Sequence, residues 1–118
     1  MRGFPILAFT AMAACSVPGP DRKAAPVGEQ NVRLGNEDYT ALIGQGAPGI
    51  QLLAAGARPV HGQTIRIART TRPLGMDEGR VAKNAARTAC DAAGGRFQSA
   101  AIGHYQRQGS WIFPGGCS

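Results

Sequence analysis

Residues 77–95 read Asp-Glu-Gly-Arg-Val-Ala-Lys-Asn-Ala-Ala-Arg-Thr-Ala-Cys-Asp-Ala-Ala-Gly-Gly, and their spacing predicts a helix from about Asp77 to Ala93. Asp77 can cap its start, and Gly94-Gly95 can take the left-handed turn that ends a helix. Val81, Ala82, Ala85, Ala86, Ala89, Cys90 and Ala93 share one face, while Arg80, Lys83, Asn84, Arg87 and Asp91 share the other. A face made mostly of alanine buries little area per residue. It stabilises only if something flat presses closely against it, which points to a sheet.

The segments around the helix supply that sheet. In Gln63–Thr71, Ile65 and Ile67 alternate with Thr64, Arg66 and Ala68, the period-two pattern of a half-buried strand. Phe97–Gln106 and Ser110–Phe113 read as a hairpin turning near Gln108-Gly109, with Tyr105, Trp111 and Phe113 as cross-strand aromatic pairs rather than a binding surface. From Val32 to Gly62, glycines interrupt every apolar run. Tyr39, Leu42 and Ile43 fit either a short helical turn capped by Asn36 or a strand, and Ile50–Ala55 is short and apolar enough for a buried strand. The fold class is therefore α+β, with one principal helix on a small, largely antiparallel sheet, over residues 32–118.

Ahead of this domain the composition changes. Phe4–Ala14 is an uncharged, mostly apolar run of eleven residues, where a membrane-crossing helix needs about 20. It follows Arg2 and ends in Met12-Ala13-Ala14-Cys15-Ser16. This stretch resembles the signal peptide and lipobox of bacterial lipoproteins, in which an aliphatic residue and two small ones precede the cysteine. The resemblance covers residues 1–16 and implies cleavage after Ala14. Diacylglycerol on the Cys15 thiol, with a further acyl chain such as palmitate, would then anchor the chain in the cell envelope facing the periplasm. Ser16 after the cysteine implies the outer membrane rather than the inner. The alternatives are an ordinary secretory signal cut near Ala14 and an apolar N-terminal segment that stays attached. Residues 15–31, with Pro18, Gly19, Pro20, Pro26 and Gly28, read as a flexible tether.

With Cys15 assigned to lipid, Cys90 and Cys117 remain as a pair in an exported protein and are expected to bond, closing a loop from the helix to the C-terminus.

Charge is asymmetric. Residues 15–57 carry three basic and four acidic side chains, and residues 58–118 carry nine basic and three acidic ones. Arg66, Arg69 and Arg72 recur every third residue, and Arg80, Lys83 and Arg87 line the polar helix face. These six are the candidate anion-binding residues, suited to lipopolysaccharide, peptidoglycan, anionic lipid or an acidic envelope protein. A solvated basic face that keeps a small domain soluble is the plainer explanation. The envelope compartment argues against specific nucleic acid.

Other motifs carry no chemistry. Gly44-Gln45-Gly46-Ala47-Pro48-Gly49 fits GxGxxG, yet Pro48 lacks the N–H a phosphate would need, and no strand-turn-helix unit surrounds it. His61 and His104 lie on separate segments. No metal, cofactor or catalytic residue is expected, and the chain is read as a non-enzymatic, lipid-anchored protein with a structural or accessory binding role, or as a polyanion-binding module.

Overall fold

The computed structural model describes Gly3 and residues 26–118. The expected signal peptide, Cys15 and the first part of the expected tether lie outside the described residues.

Five strands and the helix form the body. β1 (Gly28–Leu34) and β2 (Glu37–Gly44) make a hairpin, β5 (Gln63–Arg69) is the central strand, and α1 (Gly79–Ala92) precedes the closing pair β6 (His104–Gln106) and β7 (Ser110–Cys117). These five strands are antiparallel throughout, in the order β1-β2-β5-β7-β6. β3 (Gly49–Leu53) and β4 (Gly56–Val60) pair only with each other. The architecture is α+β, with one helix on a largely antiparallel sheet.

Alternation decides which side chains meet the helix. Tyr39, Ala41 and Ile43 of β2, Ile65 and Ile67 of β5, and Trp111 and Phe113 of β7 face α1, whereas Thr40, Leu42, Arg66 and Ile112 face away from it. Ala82, Ala85, Ala86 and Ala89 are fully buried against this surface, with Val32, Leu74 and Phe113 completing the core. The absence of longer side chains lets the helix sit close to four strands. Tyr105 and Trp111 are cross-strand partners with ring centroids 5.7 Å apart, and Phe97 meets Phe113 edge-on at 6.2 Å.

The helix ends as its sequence predicts. Gly94 N–H donates to the Asp91 carbonyl at 3.0 Å, and Gly95 N–H to the Cys90 carbonyl at 2.9 Å, with Gly94 at φ +83°. These two bonds close the last turn in the paired pattern of a Schellman motif. The start differs from expectation. Asp77 is exposed and outside the helix, and Glu78 holds the capping position without a side-chain cap bond. Its carboxylate instead accepts from Gly75 N–H at 2.9 Å and from the Arg69 guanidinium, which fixes the turn one residue further on.

The Cys90–Cys117 disulfide forms, with Cα atoms 5.6 Å apart, and ties the last turn of α1 to the end of β7. Beside it, Arg96 and Ser118 exchange backbone bonds of 2.7 and 3.0 Å, and Gln98 N–H reaches the Gly116 carbonyl.

Three further expectations are corrected. Ordered structure begins before Val32, because Pro26 is buried and β1 starts at Gly28 with Val32 already in the core. Phe97–Gln106 is not one strand. Phe97 makes an isolated bridge to Cys117, a turn closes between Gln98 and Ala101, and only His104–Gln106 pairs with β7. The Ile50–Ala55 run is strand only as far as Leu53 and is not buried: Ile50 is 51%, Leu52 72% and Leu53 44% exposed, because β3 pairs only with β4 and meets β7 at its Gly49 end. The Val32–Gly62 alternatives resolve in favour of strand, with Asn36 in the β1–β2 turn.

Candidate functional site: the basic clusters

The six candidate anion-binding side chains fall into three environments. Arg66 points from the middle of β5 onto the open face of the sheet, opposite the helix, with Leu42 and Ile112 as its cross-strand neighbours. Arg72 lies just beyond β5 in the exposed loop leading to α1. Both border a cleft of about 410 Å³ whose walls include Thr70, Thr71, Gln108 and Ser110. Two guanidinium groups and a side-chain amide line it, while the Thr70 and Thr71 hydroxyls donate within the protein, to the Asp38 carbonyl and to Glu37. This donor set suits a small phosphate or carboxylate. Glu37 flanks the cleft, with one carboxylate oxygen 3.9 Å from Arg72 and the other accepting from Thr71 Oγ1 at 3.3 Å.

Arg69 does not belong with these two as a ligand. Period-two alternation carries it to the helix side, below Ile65 and Ile67, where its side chain is 2% exposed and paired with Glu78. Its guanidinium also stands over the Tyr39 ring at 5.8 Å. Burial acts to lower the Arg69 pKa, but its bonds to Glu78 and Tyr39 outweigh that and hold it above the ordinary arginine value. The Gly75 N–H bond, and then the Arg69 bond, hold the Glu78 carboxyl below its usual range. Arg69 Nε and Nη1 and the Ser110 hydroxyl are buried without partners. The expected role of Arg69 in anion binding is therefore corrected: its charge is spent on joining β5 to the start of the helix.

Arg80, Lys83 and Arg87 lie on the polar face of α1, across the domain from Arg66. Arg80 and Arg87 are exposed and Lys83 half-buried. Arg87 lies over the Phe97 ring at 5.5 Å and donates to Asn84 Oδ1 at 3.5 Å. One ligand small enough for the cleft cannot reach both groups. Only an extended surface or polymer could touch the helix stripe along its length.

The two histidines are exposed, His61 between β4 and β5 and His104 on β6. Among the described residues no cluster of His, Cys, Asp or Glu could hold a metal ion. Gly44 and Gly49 of the GxGxxG match end β2 and begin β3, with no helix following. A Cβ at Gly49 would overlap the Pro114 carbonyl, so this glycine serves the packing of β3 against β7. Tyr105 OH donates to the Leu74 carbonyl at 3.1 Å and Trp111 Nε1 to the Gly75 carbonyl at 3.0 Å. The aromatic pair thereby pins the loop that delivers Glu78, a role that the residue types alone do not signal.

Compared with protein-family models, curated proteins and solved structures, the chain matches none.

Proposed function

We propose that this chain is a lipid-anchored cell-envelope protein whose folded part has a structural or accessory binding role. The observation that carries the reading is the Cys90–Cys117 bridge. Structural disulfides persist in oxidising compartments, and this one uses both cysteines of the domain, leaving neither as a partner for Cys15. The lipobox-like stretch ending at Cys15 supplies both export and anchor. Mass spectrometry of the membrane fraction tests it. A mature N-terminus at Cys15 carrying acyl mass, lost in Cys15→Ser, is the expected result; an intact Met1 or an unmodified mature N-terminus contradicts it.

A second reading is a polyanion-binding module. It is favoured by the convergence of Arg66 and Arg72 on one cleft and by the unbroken stripe Arg80, Lys83 and Arg87. Retention on an anionic polysaccharide matrix should then weaken steeply with salt. Substituting the three helix residues by Gln should lower retention of an extended polyanion, whereas Arg66→Gln with Arg72→Gln should lower capture of a small phosphate. Retention unchanged in both variants leaves only solvation as the role of these charges.

A further inference from the structure

The β3–β4 hairpin is the part of the molecule that water suits least. Two-stranded hairpins without a third strand or a covering helix are marginal in water, and this one exposes Ile50, Leu52 and Leu53. Its register is Ile50 with Pro59, Gln51 with Arg58, Leu52 with Ala57 and Leu53 with Gly56. One face therefore carries Ile50, Leu52, Ala57 and Pro59, while Leu53 lies on the other. The tip beyond the Gln51–Arg58 pair is Leu52-Leu53-Ala54-Ala55-Gly56-Ala57, apolar on both sides. No charged residue occurs between Asp38 and Arg58.

We infer that this tip inserts into the interfacial layer of the membrane, with Arg58 resting at the level of the lipid phosphates; the inference rests on the anchored reading above. A protein groove would cover one face of a hairpin, whereas a bilayer surrounds a tip apolar on both. The dimensions agree. From Ala55 to Arg58 the strand rises about 10 Å, and interfacial segments bury their apolar groups about 5–10 Å deep. The free outer edges of β3 and β4 set the limit, since unpaired backbone groups are not tolerated in the hydrocarbon core. Arg58 is complementary to an anionic headgroup at the level where the apolar tip ends. Twelve residues lie between Cys15 and the start of β1 at Gly28, a reach of at most about 45 Å, so an anchor at Cys15 keeps the hairpin within range of the same membrane.

The test uses the full lipidated chain reconstituted in phosphatidylcholine–phosphatidylglycerol vesicles, with and without brominated acyl chains. Leu52→Trp places a reporter on one face of the tip, Leu53→Trp places one on the other, and Asn36→Trp is a control in the β1–β2 turn, at the end of β2 away from the hairpin. An intact Cys90–Cys117 bridge shows that each variant has folded. On vesicles, both tip reporters should shift to the blue and lose fluorescence to bromolipid, while the control keeps its emission. Solvent-like, unquenched tip reporters on a chain that carries acyl mass at Cys15 overturn the insertion and leave the anchor standing. Absence of that acyl mass, read in the same samples, overturns the anchor instead. Quenching of the control to the same extent, or a blue shift that follows protein concentration without vesicles, also overturns the insertion, the latter in favour of a second copy.

Discussion

The helix-and-sheet body and the β3–β4 hairpin use the same kinds of residue to opposite ends. In the body the apolar side chains on the helix side of the sheet have facing partners. Ile65 and Ile67 have no exposed surface beneath an alanine face of the helix, and even the cation Arg69 is covered once Glu78 answers it. In the hairpin, Ile50, Leu52 and Leu53 are as apolar as the isoleucines of β5, yet each keeps 44% or more of its surface exposed. Burial is thus a property of the neighbours that topology supplies. A strand between two others, with a helix above it, is core; a strand that pairs only with its own return is surface.

Removing the strongest tie of the body should produce the largest effect. Replacing Cys90 and Cys117 together by Ala should lower stability by about 3 to 4 kcal/mol, the loop-closure contribution for a bridge of this span. Denaturant unfolding with and without reductant checks it, and equal curves for the native chain would show that the body holds without its bridge. Gly79→Ala should come next. Ala favours helix over Gly by about 1 kcal/mol, yet a Cβ at position 79 would lie 2.9 Å from the Trp111 ring. That ring is fixed by its bond to the Gly75 carbonyl, so overpacking should win and cost about 1–3 kcal/mol. A gain in melting temperature would show that the indole can yield.

Acid should loosen the same corner. Glu78 titrates below the usual carboxylate range when folded, so its contribution is fully present above the unfolded value of about 4.3. It is lost as the pH falls through the folded value. Stability should therefore drop below about pH 4 more steeply in the native chain than in Glu78→Gln; parallel pH profiles would show that the Arg69–Glu78 pair carries no pH-dependent stability. The smallest effect belongs to the hairpin: Leu52→Ala should change stability in water by less than about 0.5 kcal/mol, as expected of an exposed site. A larger loss would reveal a partner for Leu52.

The same comparison explains what was legible in the sequence. Two local periodicities sufficed for α1 and β5, because each has one buried face and its pattern records that face directly. The Cys90–Cys117 pair followed from the cysteine count once Cys15 was set aside. The exposure of Ile50–Ala55 was not legible, since a short apolar run looks alike whether topology gives it two neighbours or one. Arg69 was grouped with Arg66 and Arg72 by a three-residue spacing, whereas the strand's period of two sends Arg66 and Arg69 to opposite faces. Reading that spacing against the alternation of the strand, with Ile65 and Ile67 inward, is the signal that separates them. The capping position moves by one residue, from Asp77 to Glu78, because a tertiary ion pair, invisible to local capping rules, claims Glu78.

Hydrogen exchange of the full chain, free in water and with phosphatidylcholine–phosphatidylglycerol vesicles, tests most directly the claim that body and hairpin are built for different surroundings. Amides of β5 and β7 should be strongly protected in both, while those of residues 50–58 exchange fast in water and slow down on the vesicles. Hairpin amides as protected in water as β5, or unchanged by the membrane, would contradict it.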